Sequence, residues 1–552
     1  MLGCAEPRSV ELPMPCVEDG DCADGRFCVE EECVEPDPAP WDDLEGVQHF
    51  DPPGPDPNWD LLIVIDDSRT MAQWQSTLAA NVGAFIETIE SEGLELSYRL
   101  AVTTTSVRGP ECDDGALDGA LVASSCRGRL EDFAVDGVDM AATGCTDVCP
   151  LSASELDARM LPTATAEDPE LRVRPWIEHV DYEANLPDDV SRVDAARCFL
   201  PQGISGCERE APLDAMFRAL ARFEDPEDPA YGFLRDEASL FVLILTDEVD
   251  CSLSAIGRDI FGPDNRVFWS DPDAAEPTDA VCWNAGVACV PDMVEGELDC
   301  IAVDRGLDGE VSEPDDAVLR PIDEYVKALE HVRDHKRQTR PDAKVAVSVL
   351  SGVPDGYSSG QADLHYAPAN DPTFDAQYGI GPGCTRVDGE WALPPVRMRS
   401  WAEHFGDRNL YSVCSNDYTP ALQAVATRIG GGIRPACYHF CAADTDDGAG
   451  FEPACQVWET VKDDPPEEIV HCIFDGEWQL PAGADVCHYL LTDAAQQDDP
   501  WDDMADECVE DGSNVELKVL RNPDAPSPWP TRITIACDLA AEPEQTCPGL
   551  GE

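Results

Sequence analysis

The sequence predicts an α/β protein built on a doubly wound, mostly parallel sheet of Rossmann-like type. Long disulfide-tied insertions interrupt it, and a small cysteine-rich module and a cysteine-rich, mainly β C-terminal region flank it. Three observations carry this expectation. Leu61–Ile65 and Leu240–Leu245 are unbroken apolar runs, the pattern of strands buried on both faces of a parallel sheet. Ser76–Glu92 has apolar residues at Leu78, Val82, Phe85, Ile86 and Ile89, a helical spacing, and Tyr98–Thr105 then reads as a second strand. Strand, helix, strand is the opening of a doubly wound sheet. Finally, 25 cysteines run from Cys4 to Cys547 without closely spaced CxxC knuckles, which suits an exported, oxidised chain better than a cytosolic metal protein.

Composition narrows the function classes. The chain has 552 residues, 43% hydrophobic, with 36 basic against 112 acidic side chains and a formal charge of −76. Nucleic acid and anionic membrane surfaces are therefore poor electrostatic partners. Most of the acids are scattered through loops, as expected of a solvated surface. No apolar run of about 18 or more residues is present to span a membrane.

In chain order, residues 1–10 read as a lipoprotein signal remnant. Leu2-Gly3-Cys4 looks like the tail of a bacterial lipoprotein signal, with Cys4 as the acylated residue; setting it aside leaves an even number of cysteines. The only expected membrane contact is this lipid. Residues 11–35, with Cys16, Cys22, Cys28 and Cys33, form a stapled module too short for a core of its own. Residues 36–57 are Pro/Asp-rich and read as a stiff linker. The main domain is expected over 58–432, with insertions at about 106–205, 252–314 and 351–405. Its later elements are a helix at Pro212–Phe223, the strand at Ser239–Leu245, a helix at Ala317–Lys336, a strand at Lys344–Leu350, a short strand at Asn409–Val413 and a helix at Thr419–Ile429. Residues 433–552 carry eight cysteines, and Val515–Leu520 and Thr531–Cys537 alternate as half-buried strands do.

The first apolar strand ends in Asp66-Asp67-Ser68-Arg69-Thr70, and the later one in Thr246-Asp247-Glu248. Ligands of open α/β sheets sit outside such strand ends. Oxygen donors at Asp66, Ser68 and Thr70 suit a hard divalent cation. An apolar strand ending in Asp-x-Ser-x-Thr, with a second ending in Asp, resembles the von Willebrand factor type A family over roughly residues 58–430. The resemblance implies a metal-ion-dependent adhesion site formed by Asp66, Ser68, Thr70 and Asp247, holding Mg2+, or Ca2+ or Mn2+. One coordination position would stay open for a carboxylate from a partner protein. It also implies a threonine before the helix at Pro212, where this chain reads Gly206-Cys207-Glu208-Arg209-Glu210-Ala211. Glu208 or Glu210 is the expected replacement. Asp67, Glu248 and Asp250 are expected around the ligands or in solvent.

Other constellations are weaker. His331 and His335 share a helix face, but no glutamate lies between them in the zinc-protease position. Trp283, Trp391, Trp401 and Trp458 read as core before carbohydrate surface. The sequence therefore predicts a non-enzymatic adhesion or interaction protein, exported and anchored to a bacterial envelope or extracellular. The alternatives are a disulfide-hardened scaffold with a degenerate site, and a hydrolase housed in the insertions.

Overall fold

The computed structural model describes residues 58–430 apart from short stretches such as 91–95 and 292–295, segments of 436–547, and short pieces between residues 27 and 50. Cys4 and most of the 11–35 module lie outside the described residues. The chain divides into two units, Gly54–Ile433 and a second made of Met1–Pro53 with Arg434–Glu552.

The larger unit is organised on β1, Asn58–Ile65, buried along almost its whole length. Helix α1, Ala72–Ile89, returns the chain to β2, Ser97–Thr104. Within the first long insertion lie β3 (Ile177–Val180), β4 (Glu183–Ala184) and α2 (Arg192–Phe199). Then come α3 (Pro212–Phe223), β5 (Ser239–Leu245), α4 (Ile322–Thr339), β6 (Val345–Ser351), α5 (Val396–Ala402), β7 (Leu410–Ser412) and α6 (Thr419–Gly430). The strands form one seven-stranded sheet in the order β7-β6-β5-β1-β2-β3-β4.

This corrects the expected doubly wound, mostly parallel type A arrangement. The sheet is mixed: β7, β6, β5, β1 and β2 run parallel, but β3 pairs antiparallel with β2, and β4 antiparallel with β3. Several small sheets stand beside it, two-stranded ones among them at Val287–Pro291 with Leu298–Ala302 and at Cys384–Thr385 with Trp391–Ala392. The physical reason lies in the insertion. β3 ends at Val180 and β4 begins at Glu183, too close in sequence for the crossover a parallel pair needs, and this short pair adds antiparallel to the edge of β2.

Alternation along β1 sends side chains to two apolar clusters. Leu61, Ile63 and Ile65 pack with Trp74, Leu78 and Phe85 of α1 and Leu422 of α6. Leu62 and Val64 pack with Leu213 and Met216 of α3, Leu329 of α4 and Trp401 of α5. Each fully buried side chain of this kind contributes about 1.5–3 kcal/mol. Six disulfides tie the larger unit: Cys112–Cys207, Cys126–Cys145, Cys149–Cys198, Cys251–Cys282, Cys289–Cys300 and Cys384–Cys414.

In the second unit, four-stranded sheets form around Glu516–Arg521 with Val486–Leu491 and around Cys455–Val461 with Thr531–Cys537. Among the described residues its disulfides are Cys437–Cys508, Cys441–Cys547, Cys455–Cys537 and Cys472–Cys487. The segment read as a linker contributes a strand here, Val47–Phe50, paired with Thr531–Cys537. That stretch lies between the prolines of the segment, so its N–H groups are free to enter a ladder.

Candidate metal centre

The ladders continue past the strand ends and set three loops side by side. Ile65 is paired with both Leu245 and Thr104. Asp66 N then donates to Leu245 O at 2.9 Å, Thr105 N to Ile65 O at 3.1 Å and Thr246 N to Leu350 O at 3.1 Å. Asp66 therefore meets Thr246 on one side and the Thr105 loop on the other. The turn into α1 is clamped by Gln75, wholly buried. Its amide donates to Asp66 O at 2.7 Å and Gly203 O at 2.8 Å and accepts from Gln202 N at 2.9 Å.

Five carboxylates collect at this edge. Asp66 is fully buried; its Oδ1 accepts from Ser68 N at 2.8 Å and its Oδ2 from Thr246 Oγ1 at 2.6 Å. Ser68 Oγ lies 3.5 Å from Thr70 Oγ1, Ser68 buried and Thr70 at the surface. Asp247 is buried and takes the Trp74 indole N–H on Oδ2 at 2.9 Å. Glu210 is fully buried, with the Thr105 hydroxyl donating to its Oε2. Asp67 accepts from Ser106 Oγ at 2.7 Å, and Glu248 is half-buried beside Asp247. No Lys or Arg forms an ion pair with any of the five among the described residues.

Burial and mutual repulsion make this set hard to ionise. Burial, reinforced by Asp66, raises Asp247 to about 7. Burial also raises Asp67 to about 7, opposed by Ser106 and reinforced by Asp66. Glu210 is pushed well above the usual carboxylate range by burial, then by Asp66, Asp67 and Glu248. Glu248 goes the same way through burial, Asp66 and Asp247.

The residues fit a hard cation in one specific respect. Oε1 of Glu210 and Oδ1 of Asp247 are buried with no hydrogen-bond partner among the described residues. A buried carboxylate oxygen without a donor is costly unless protonated or met by a positive charge. Among the described residues no three His, Cys, Asp or Glu side chains form a metal-holding group by themselves. The hydroxyls of Ser68 and Thr70 stand beside the carboxylates at this edge.

Not every expected residue is here. Glu208 points outward and pairs with Arg69 at 3.0 Å, so of the two candidate replacements only Glu210 enters the pit. Asp250 is committed elsewhere: it accepts from Arg397 Nε and Ser252 Oγ at 2.9 and 2.5 Å, and Leu213 N at the start of α3 lies 3.4 Å away. Sequence reasoning passed over Thr105, Ser106, Thr246 and Trp74. The hydroxyl run at the end of β2 was the available signal. Trp283, Trp401 and Trp458 are buried, while the half-buried Trp391 packs against Phe374 and Tyr378.

No family model and no curated protein matches the chain. Solved structures similar to it include two crystal structures of the pilus adhesin SpaC from Lactobacillus rhamnosus GG, one of them in the open conformation. Each is 9% identical and covers 87% of this chain, with TM-scores of 0.28 and 0.26. The chain spans 38% and 39% of those chains, about two fifths of their length. At that overlap the likeness assigns nothing, and it shows no type A domain. The ten disulfides are those of a chain that folds in an oxidising compartment.

Proposed function

We propose that this chain is a non-enzymatic, exported surface protein that recognises a partner protein through a divalent cation held at the strand ends. Asp66, Ser68, Thr70 and Asp247 would hold it, with Glu210 in place of a neutral hydroxyl donor. The carrying observation is the pair of buried oxygens on Glu210 and Asp247 with no hydrogen-bond partner, in a carboxylate cluster that no Lys or Arg ion-pairs among the described residues. Mg2+ is the first choice for near-octahedral oxygen ligation, with Ca2+ or Mn2+ as alternatives. When bound, the cation supplies a Lewis-acidic position for a carboxylate of the partner. The protein's own groups do the rest. Trp74 and Thr246 fix Asp247 and Asp66 in orientation, and Gln75 holds the turn that carries Ser68. In a chain of charge −76 an incoming carboxylate is repelled over most of the surface, so local neutralisation also sets where it can dock. In this reading a lipid on Cys4 tethers the protein to the envelope.

Calorimetric titration of the oxidised protein with Mg2+, Ca2+ and Mn2+ tests the proposal. The expected result is one site in the wild type, lost in Asp66→Ala and weakened at least about tenfold in Glu210→Gln. If the wild type and Asp66→Ala respond alike, the cation reading is wrong and the domain is a disulfide-hardened scaffold.

A further inference from the structure

The loop that delivers Glu210 has a second wall. Its neighbours Arg209 and Ala211, with Cys207, line a cavity of about 220 Å³ outside the acidic pit. Arg108, Arg209, Arg218, Arg258 and Arg320 all line it, with Asp214 as the carboxylate among the described lining residues. The whole chain has only 36 basic residues to 112 acidic ones, so five guanidiniums on one cavity invert the local charge.

Part of that charge is answered from behind the wall. Asp214 is shared by Arg218 at 2.8 Å and Arg320 at 3.2 Å, and Asp118 by Arg218 at 3.1 Å and Arg108 at 3.3 Å. Arg320 also meets Glu324 at 3.0 Å. Arg209, largely buried, reaches Asp279 at 3.8 Å, donates to Pro277 O at 3.3 Å and lies over the Phe261 ring at 5.0 Å. Arg258 has no carboxylate partner among the described residues; its Nη2 lies 3.5 Å from Arg108 O. Positive charge without a carboxylate partner among the described residues is thus left at Arg258, with Leu253 and Phe261 as apolar lining beside it. The Cys112–Cys207 and Cys251–Cys282 bridges cross-link the segments that carry the wall. A cavity fixed in this way loses little entropy on binding.

We propose that this cavity binds a small oxyanion, a ligand bearing a carboxylate or a phosphate group, which the arginine forks hold by charge-assisted hydrogen bonds. The lining of this cavity is distinct from that of the cation pit, although Arg209 and Glu210 share one loop.

The test is calorimetry at low ionic strength in buffer stripped of divalent cations by ion exchange, since a carboxylate chelator would itself compete. Citrate and inorganic phosphate are the probes. One equivalent of either is expected to bind the wild type, and the tighter of the two identifies the source of the anion. Arg258→Glu, at an exposed position with no carboxylate partner among the described residues, is expected to weaken binding at least about tenfold. Arg333→Glu, on α4 and not in the cavity wall, should leave it unchanged. The proposal is overturned if neither anion binds at millimolar concentration, or if the two variants weaken binding equally. A protein that takes up Mg2+ yet binds no anion refutes this inference alone.

Discussion

Replacing Asp247 by Asn should stabilise the cation-free protein and abolish its stabilisation by cations. The substitution keeps the shape of the side chain and an oxygen to accept from Trp74 Nε1, now at 2.9 Å. What it removes is a charge whose pKa is raised from 3.8 to about 7 by burial and by Asp66. Above pH 7 the folded protein holds this carboxylate ionised at a cost that the unfolded chain does not bear. The rise from 3.8 to about 7 corresponds to a ceiling of about 4 kcal/mol. Asn replaces the charge by a polar amide that still needs partners, so the net gain is on the order of 2 kcal/mol. For a unit of this size that amounts to roughly 2–4 °C in Tm. The assay is scanning fluorimetry at pH 8, after removal of divalent cations and again with saturating Mg2+. Without cation the variant should melt above the wild type; with cation only the wild type should gain. A variant that melts lower in cation-free buffer, or gains as much from Mg2+ as the wild type, refutes the reasoning.

The pH dependence follows from the same groups. Asp67 and Asp247 have folded pKa values near 7, above the unfolded value of 3.8, so the folded form takes up protons first. Cation-free wild-type Tm should rise as pH falls from 8 to 5, and the Mg2+ increment should shrink over that range; a flat or falling Tm counts against it. Gly206→Ala would set a Cβ 2.3 Å from the Asp67 carboxyl carbon, so it should cost about 1–3 kcal/mol in urea unfolding and weaken cation binding. Asp60→Asn at the opposite end of β1 should cost about 3–5 kcal/mol in urea unfolding and leave cation affinity unchanged, because it strands Arg235 and Lys336 in the core.

What the sequence made legible, and what it hid, follows from which forces are local. Leu61–Ile65 and Leu240–Leu245 announce themselves because a strand buried on both faces has no polar position to spend. The hairpin Ile177–Val180 with Glu183–Ala184 was not legible. It is short, only its first two residues are buried, and it exists because it finds the edge of β2. The mixed sheet followed from that non-local pairing. Asp66 and Asp247 were legible as strand-end acids, but choosing between Glu208 and Glu210 was not. Two residues apart in an irregular loop, they are sorted by backbone anchors elsewhere in sequence. Cys251 N donates to Glu210 O at 2.7 Å and Ala211 N to Thr105 O at 3.2 Å, which turns Glu210 inward, while Arg69 holds Glu208 at the surface.

Two aspartates at the ends of β1 provide a control, Asp60 near its start and Asp66 just past its end. Asp60 and Asp66 are both fully buried, six positions apart. Burial alone would raise Asp60, yet Arg235, Lys336 and Arg99 together hold it below its ordinary value. Arg235 Nε and its backbone N–H reach it at 2.9 and 2.7 Å, and Lys336 Nζ at 3.2 Å. The fold thus neutralises a buried carboxylate with its own cations where the carboxylate serves structure. At Asp66 no Lys or Arg forms an ion pair among the described residues. The fold surrounds the carboxylate with hydroxyls from Thr246 and Ser68 and with four further acids, leaving oxygens of two of them without a donor. A chain with this few basic residues still placed three of them around Asp60, so their absence at Asp66 is a property of the site and not of composition. That asymmetry is the physical argument for an exogenous cation, and it holds without reference to any relative.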